Sequence, residues 1–125
     1  MPNFSAKSLE KLMECHPDLI RLFQEVVKEI DCSIICGHRN KSHQDEAFRH
    51  GFSNTPWPKS KHNKIPSLAV DCIPYPCKWD DSESFEALAK VVFKKANELG
   101  IEIVWGGSFK TIMDKPHYEL KDDRP

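Results

Sequence analysis

A stripe of apolar side chains along residues 17–30 constrains the fold of this 125-residue chain more than any other feature. Apolar residues recur there at intervals of three and four, at Leu19, Leu22, Phe23, Val26, Val27 and Ile30. That spacing predicts an amphipathic helix with Pro17 in its first turn and one face buried against a core. A second stripe runs through Phe85, Leu88, Ala89, Val92, Ala96 and Leu99. It predicts another long helix, which begins at an Asp-Asp-Ser cap, residues 80–82, and ends at Gly100.

Shorter elements surround these two helices. We predict helices over residues 5–14 and 42–50, the second capped by Ser42 and stopped by Gly51. Three prolines predict an irregular loop over residues 52–67. Short apolar runs predict strands over residues 32–36, 68–73, 101–105 and 115–120. Helices that come early, with strands spread through the rest, are typical of an α+β domain in which helices pack on a small, mainly antiparallel sheet.

The size and charge of the chain limit its classes of function. At 125 residues it is expected to form one domain, residues 1–125, with its own hydrophobic core. Its 18 basic and 19 acidic side chains give a net charge of −1, which offers no attraction to nucleic acid or an anionic membrane. The first residues lack the pattern of a signal peptide, and no run approaches the ~20 apolar residues of a membrane span. We therefore expect synthesis in a cytoplasm, without membrane insertion or nucleic-acid binding.

The five cysteines, an odd number, agree with a reducing compartment. Cys32, Cys36 and Cys72 lie in apolar runs, which predicts thiols packed in the core. A structural zinc site is the alternative, because Cys32 and Cys36, and also Cys72 and Cys77, have loosely suitable spacings. Known structural zinc sites keep stricter spacings, so core thiols are favoured.

Three polar residues that are far apart in the sequence offer the ligands of a catalytic zinc ion. His62 lies in the predicted loop, Asp71 in an apolar strand, and His117 in the last strand. Two imidazoles and one carboxylate leave a fourth position for water, as catalytic sites do, although the same ligands suit other divalent ions. Singly, each has an ordinary explanation, since Asp71 fits the solvent face of an alternating strand and histidines are common at surfaces. The hypothesis depends on the three residues together.

The segments around these residues resemble a known family. The motifs S-K-H at 60–62, A-V-D at 69–71 and D-K-P-H-Y-E-L at 114–120 are similar to those of zinc peptidases related to D-Ala-D-Ala carboxypeptidases and dipeptidases. Within them, G-H-R at 37–39 and W-G-G at 105–107 are similar to the L-alanyl-D-glutamate endopeptidase branch of phage endolysins. The resemblance implies an α+β domain of the kind shared by DD-peptidases and hedgehog proteins, with Zn²⁺ held by His62, Asp71 and His117.

The chain departs from the family pattern in two places. His62 and Asp71 are nine positions apart, whereas the family spacing is seven with a glycine between, so the loop is expected to bulge. Leu120 stands where the carboxypeptidase branch often has Trp, which favours the endopeptidase branch.

The resemblance also implies roles for residues around the zinc. Asp114 takes the place of the general base, with Glu119 as its rival or as a support for the neighbouring histidine. Arg39 would stabilise the oxyanion at the scissile carbonyl, and its ordinary alternative is a surface arginine. The candidates for substrate contact are Ser60, Gln44 and Trp105. A place on the helix surface suits the glutamine equally, and a place in the core suits the tryptophan.

On this resemblance we predict a bacteriolytic, zinc-dependent endopeptidase that hydrolyses the L-Ala-D-Glu bond of peptidoglycan stem peptides. The alternatives are a D,D- or L,D-carboxypeptidase of the same superfamily and a non-catalytic zinc-binding domain that contacts a partner protein. The expected form is a monomer of phage or prophage origin, made in the host bacterial cytoplasm without a signal peptide and acting on the cell wall after its release.

Overall fold

The computed structural model describes residues 2–53, 55–108 and 114–121. Its helices are α1 (Ala6–Leu12), α2 (Pro17–Glu29), α3 (Lys41–Arg49) and α4 (Ser82–Leu99), and short 3-10 turns span Lys61–Asn63 and Gly106–Ser108. Its strands are β1 (Cys32–Cys36), β2 (Ala69–Pro74), β3 (Ile103–Trp105) and β4 (His117–Leu120). The strands form one sheet in the order β1-β2-β4-β3, and each neighbouring pair is antiparallel. The predicted α+β class, with helices on a small antiparallel sheet, is confirmed.

The two faces of the sheet have opposite characters. Side chains alternate along a strand, so Tyr118 and Leu120 point to one face of β4 while His117 and Glu119 point to the other. Tyr118 and Leu120 are fully buried in the same core as the predicted stripes of α2 and α4. The Tyr118 ring meets the Phe23 ring edge-on, with centroids 5.6 Å apart. The helices therefore cover one face, and the other face is left to polar residues.

The element boundaries differ from the predicted ones by a few residues. The cap of α3 is Asn40 rather than Ser42, because the Asn40 Oδ1 accepts a hydrogen bond of 2.9 Å from the His43 backbone N–H. Both residue types cap helices well, so the sequence alone does not distinguish them. The last strand begins at His117 and not at residue 115, because Lys115 and Pro116 form a turn. Among the described residues, no helix is both long enough and apolar enough to cross a bilayer.

The cysteines confirm the core prediction only in part. Cys32 and Cys72 are buried in the core, and the five thiols are all free. Burial raises the pKa values of Cys72 and Cys77 above their usual value, which disfavours the thiolates that the alternative zinc site needs. Cys36 is half-buried and lies beside His62, so the prediction that it is a core thiol is wrong. The register of β1 on β2 is irregular between Ile34 and Cys36, and this irregularity accompanies the change of surroundings.

We expect Asn40→Ala to lower the free energy of unfolding by about 1 kcal/mol, because it removes the hydrogen bond that caps α3. The matched variant Ser42→Ala should change it by less than about 0.5 kcal/mol, since Ser42 is exposed and does not cap the helix. Urea denaturation followed by circular dichroism measures both values. A larger loss in Ser42→Ala than in Asn40→Ala would contradict this assignment of the cap.

Candidate metal centre

Three side chains from three segments meet on the polar face of the sheet. His62 comes from the 3-10 turn, Asp71 from β2 and His117 from β4. The His62 Nε2 lies 3.1 Å from the Asp71 Oδ1 and 3.2 Å from the His117 Nδ1. The third side of the triangle, from the His117 Nδ1 to the Asp71 Oδ1, is 3.3 Å. The three predicted ligands are thus brought together, with 2%, 8% and 8% of their surfaces exposed for His62, Asp71 and His117.

In each imidazole, the nitrogen that points away from Asp71, called here the outer nitrogen, already has a hydrogen-bond partner. The His62 Nδ1 lies 2.7 Å from the Gly37 carbonyl oxygen, so it is placed to donate its proton there. The His117 Nε2 lies 2.7 Å from the Glu119 Oε1 and is placed to donate to that carboxylate. Each neutral ring then turns an unprotonated nitrogen toward the Asp71 oxygen. In that neutral state three acceptors face one another at hydrogen-bond distance, an arrangement that calls for a metal ion or a proton between them.

The triangle has the size that zinc requires. Ligand atoms bound about 2.0–2.1 Å from a tetrahedral zinc ion stand about 3.3 Å apart. The three observed separations, 3.1, 3.2 and 3.3 Å, are close to that value. Imidazole nitrogen and carboxylate oxygen are also donor types that zinc accepts. The residues present therefore fit the metal that the resemblance implies.

The pairing of two strands and a capped turn hold the three ligands in place. Asp71 and His117 are directly opposite each other in the β2–β4 ladder, so their side chains emerge side by side. His62 lies on a turn that Ser60 and Asn63 cap reciprocally, with the Ser60 Oγ accepting from the His62 N–H at 3.2 Å and the Asn63 Oδ1 from the Ser60 N–H at 3.0 Å. The Arg39 N–H also donates to the His62 carbonyl at 2.8 Å.

The long spacing between His62 and Asp71 is absorbed by an outward bulge, as predicted. Residues 64–66 are exposed, and Ile65 leaves 86% of its surface in solvent. The bulge closes where the Leu68 N–H donates to the Lys61 carbonyl at 3.0 Å. The two additional residues thus lie outside the site and do not displace either ligand.

The mutual charges of the site shift the pKa values of its groups. Burial acts to raise the pKa of Asp71, but the two facing histidines outweigh it and hold that pKa well below the usual range. Burial acts to lower the pKa of His62, yet the Asp71 carboxylate raises it to about 10. The pKa of His117 is raised for the same reason, against the effect of its burial. Without a cation, a proton takes its place, and a metal must displace that proton to bind.

Cys36 offers a second arrangement of metal ligands that the sequence analysis missed. The donor atoms of Cys36, His62 and Asp71 all lie within 4.8 Å of one another, so these three residues could also hold a metal ion. Cys36 is opposite Asp71 in the β1–β2 ladder, which brings the thiol to this face. Its Sγ lies 3.8 Å from the His62 Nδ1, the nitrogen that faces Gly37. The thiol therefore lies beside the Nδ1 of the His62 ring, whereas His117 faces its Nε2.

Asp114 and Arg39 line the cleft that opens over the ligands. The Asp114 carbonyl accepts from the His117 N–H at 3.1 Å, and its N–H donates to the Gly106 carbonyl at 3.0 Å. Gly106 is so close that a Cβ there would collide with the Asp114 carbonyl oxygen, which explains the glycine at position 106. Burial and the nearby Asp71 charge raise the pKa of Asp114. The Arg39 Nη2 lies 3.7 Å from the Asp71 Oδ2.

Gln44 and Trp105 support the site from behind and do not line the cleft. Gln44 has no exposed surface; its Oε1 accepts from the Arg39 Nη1 at 3.0 Å and its Nε2 donates to the Ser53 Oγ at 3.1 Å. A side chain so enclosed does not reach substrate, so the structure contradicts the predicted contact. The Trp105 Nε1 donates to the Lys115 carbonyl at 2.7 Å, which fixes the turn before His117. Of the three predicted substrate contacts, only Ser60 lines the cleft.

The cleft itself has a volume of about 280 Å³. Its lining combines His62, His117 and Asp114 with residues of the segment between α3 and the 3-10 turn. The residues that line it are Arg39, Phe52, Ser53, Thr55, Lys59, Ser60, Lys61, His62, Asp114, His117 and Glu119.

We expect His117→Ala to weaken zinc binding by more than about 100-fold. Losing a ligand should cost more than the roughly 10–100-fold effect that is typical of losing the residue that hydrogen-bonds the ligand. The matched variant Cys36→Ser should change zinc affinity by only a few-fold. Competition against a chromophoric chelator measures both. Strong binding by His117→Ala together with weak binding by Cys36→Ser would assign the metal to the cysteine, and a thiolate-to-metal absorption band with Co²⁺ would show the same.

We also expect zinc affinity to fall by at least about tenfold for each unit that the pH is lowered between 8 and 6. The sign follows from the raised pKa of His62, which keeps the ring protonated across this range, so that each metal ion competes with at least one proton. Titration calorimetry at several pH values, in buffers of different ionisation enthalpy, measures the affinity and the protons released. An affinity that does not change with pH would contradict the coupling.

The chain resembles known peptidases over almost its whole length. The sequence profile of the phage L-alanyl-D-glutamate peptidase family matches residues 2–123. Among solved structures, the chain is similar to the L-Ala D-Glu endopeptidase ChiX of Serratia marcescens, with 32% sequence identity and a TM-score of 0.82. That similarity covers 96% of this chain and 91% of the Serratia chain. None of the curated proteins matches it significantly. The chain belongs to the phage L-alanyl-D-glutamate peptidase family.

Proposed function

We propose that the protein is a zinc-dependent peptidoglycan endopeptidase that hydrolyses the L-Ala-D-Glu bond of cell-wall stem peptides. The observation that carries the proposal is the triangle of donor atoms from His62, Asp71 and His117 at the floor of an open cleft. Three protein ligands with an accessible fourth side are the arrangement of catalytic zinc sites. Membership of the phage L-alanyl-D-glutamate peptidase family supports cleavage of this bond and a role on the cell wall after release from the host cytoplasm.

His62, Asp71 and His117 would hold the zinc ion in this proposal. When bound, zinc would supply a water molecule with a pKa of about 7 and would polarise the carbonyl that is attacked. Glu119 holds the His117 ring through its Oε1, while its Oε2 pairs with the Lys61 ammonium at 3.2 Å. Such outer partners fix the tautomer and orientation of a ligating histidine.

Asp114 is better suited than Glu119 to act as the general base. Burial acts to raise the pKa of Glu119, but the bonds from His117 and Lys61 outweigh it and lower that pKa. Both Glu119 oxygens are also occupied. Asp114 lines the cleft and has a raised pKa. Its carboxylate would accept a proton from the attacking water and pass it to the nitrogen of the leaving amine.

Arg39 would stabilise the negative oxygen that forms on the attacked carbonyl. Its guanidinium is held by Gln44 on one side and lies near Asp71 on the other, so its position is set before substrate arrives. A fixed cation of this kind stabilises the transition state without reorganisation.

Digestion of purified cell walls tests the function directly. We expect new L-Ala carboxyl ends on the glycan and released peptides that begin with D-Glu, identified by mass spectrometry. A chelator should abolish the reaction and added zinc should restore it. Release of terminal D-Ala alone would indicate a carboxypeptidase, and binding of zinc without any cleavage would indicate a non-catalytic domain.

We expect Asp114→Asn to retain zinc and lose about 10²–10⁴-fold in kcat, the usual contribution of a general base. The matched variant Glu119→Gln should weaken zinc binding by about 10–100-fold and recover activity at saturating zinc. Zinc content and kcat are measured on the same samples. If Asp114→Asn remains active while zinc-loaded Glu119→Gln is inactive, the roles of the two carboxylates are exchanged.

A further inference from the structure

The charged residues that line the cleft differ in how far their charges are already paired, and this difference bears on where an acidic part of a substrate binds. Two carboxylates, those of Asp114 and Glu119, line the cleft together with His62 and His117. The cations that line the cleft are Arg39, Lys59 and Lys61. An acidic substrate group gains most from a cation whose charge is not already paired with a carboxylate of the protein. The partners of the three cations therefore decide where such a group binds.

Two of these cations are already engaged. Arg39 donates to the Gln44 Oε1 at 3.0 Å and lies 3.7 Å from the Asp71 Oδ2. The Lys61 ammonium lies 3.2 Å from the Glu119 Oε2 and donates to the carbonyl oxygens of Leu120 and Lys121. All three of the hydrogen-bonding positions of Lys61 are thus used within the protein.

Lys59 is different from both. Its side chain is exposed at the rim, and within residues 2–53, 55–108 and 114–121 it forms no ion pair or side-chain hydrogen bond. Its backbone is fixed, because the Lys59 N–H donates to the Pro56 carbonyl at 2.9 Å. The ammonium thus extends from an anchored turn, two residues before the start of the turn that carries His62. Among the described residues, no carboxylate pairs with this cation of the cleft.

The proposed substrate carries a matching anion beside the bond that is cut. A glutamyl residue uses one of its two carboxyl groups to continue the peptide, so the other remains free and ionised. This carboxylate belongs to the residue whose nitrogen leaves, and it lies within a few bonds of the scissile bond. A substrate bound in the cleft can place this charge against Lys59, which has no ion pair among the described residues.

We propose, on the basis of the proposed function, that Lys59 binds the free carboxylate of the acidic residue on the leaving side of the scissile bond. The lysine thereby selects substrates with that carboxylate over substrates in which it is amidated. Arg39 remains at the attacked carbonyl, and Lys61 remains the partner of Glu119. Lys59 is a specificity-determining residue that contacts substrate away from the reacting atoms.

Two peptides and two variants test the selection. The peptides share the L-Ala-D-Glu bond and differ only in whether the free carboxyl of the glutamyl residue is an acid or an amide. The variants are Lys59→Met and the control Lys64→Met, which removes an exposed lysine from the same loop outside the cleft. Zinc content and melting temperature are measured for each variant to confirm that both retain the fold and the metal.

We expect the wild-type protein to cleave the acid with a higher kcat/KM than the amide. In Lys59→Met the ratio of the two values should fall by about tenfold, the scale of one charge-assisted hydrogen bond at a partly exposed site. In Lys64→Met the ratio should stay within twofold of wild type. Added salt should reduce the wild-type preference, because it screens an exposed ion pair.

The failures of the two proposals are distinguishable. If the wild-type protein cleaves both peptides and Lys59→Met leaves the ratio unchanged, the role of Lys59 is wrong while the endopeptidase function stands. If the wild-type protein cleaves neither peptide at the L-Ala-D-Glu bond, the proposed function fails and the inference with it. An equal loss of both activities in Lys59→Met would indicate a structural role and would also overturn the inference.

Discussion

The mutual approach of three potential metal-ligand atoms, two imidazole nitrogens and one carboxylate oxygen, is the interaction on which the rest of this structure depends. Asp71 lies on a strand whose neighbours Val70 and Cys72 are fully buried, and an ionised carboxylate in such a place is costly unless a cation compensates it. The two imidazoles that face it are already committed through their outer nitrogens. A metal ion would compensate the buried negative charge and would bind all three atoms, whereas a proton compensates the charge but does not join all three. The site is therefore a locally unfavourable arrangement that the surrounding fold holds together.

Several contacts restrain the segments that carry the ligands. Lys61, next to His62, donates to the carbonyl of Leu120 at the end of β4, the strand of His117. The Leu120 N–H in turn donates to the Leu68 carbonyl at 2.9 Å, just before β2. Gln44 joins Arg39 to the turn of His62, because its Oε1 also accepts from the Asn63 Nδ2 at 3.2 Å. Such buried polar networks are rigid when every member is satisfied. The triangle is thereby fixed before any metal binds.

The sequence was sufficient to predict the elements and the residues of the triangle, but not all of their surroundings. Periodic apolar positions predict α2 and α4 because burial on one face is a local, repeating requirement. His62, Asp71 and His117 were identified by their residue types together with the resemblance. Cys36 was misjudged because an irregularity in strand register is not visible in an apolar run. Gln44 was assigned to substrate because nothing in its neighbourhood predicts complete burial of an amide, which depends on distant partners.

The two carboxylates near His117 show how their environments can assign different tasks to similar groups. Glu119 shares a strand face with His117, so one oxygen faces the imidazole and the other faces Lys61. Those partners stabilise its charged form and lower its pKa. Asp114 sits three residues before His117 in a turn, where burial and the Asp71 charge raise its pKa. Pairs of acids whose environments move their pKa values apart are typical of sites that separate support from proton transfer. The alternation of β4 thus places the supporting acid beside the ligand, and the turn before the strand leaves the other acid free to face the cleft.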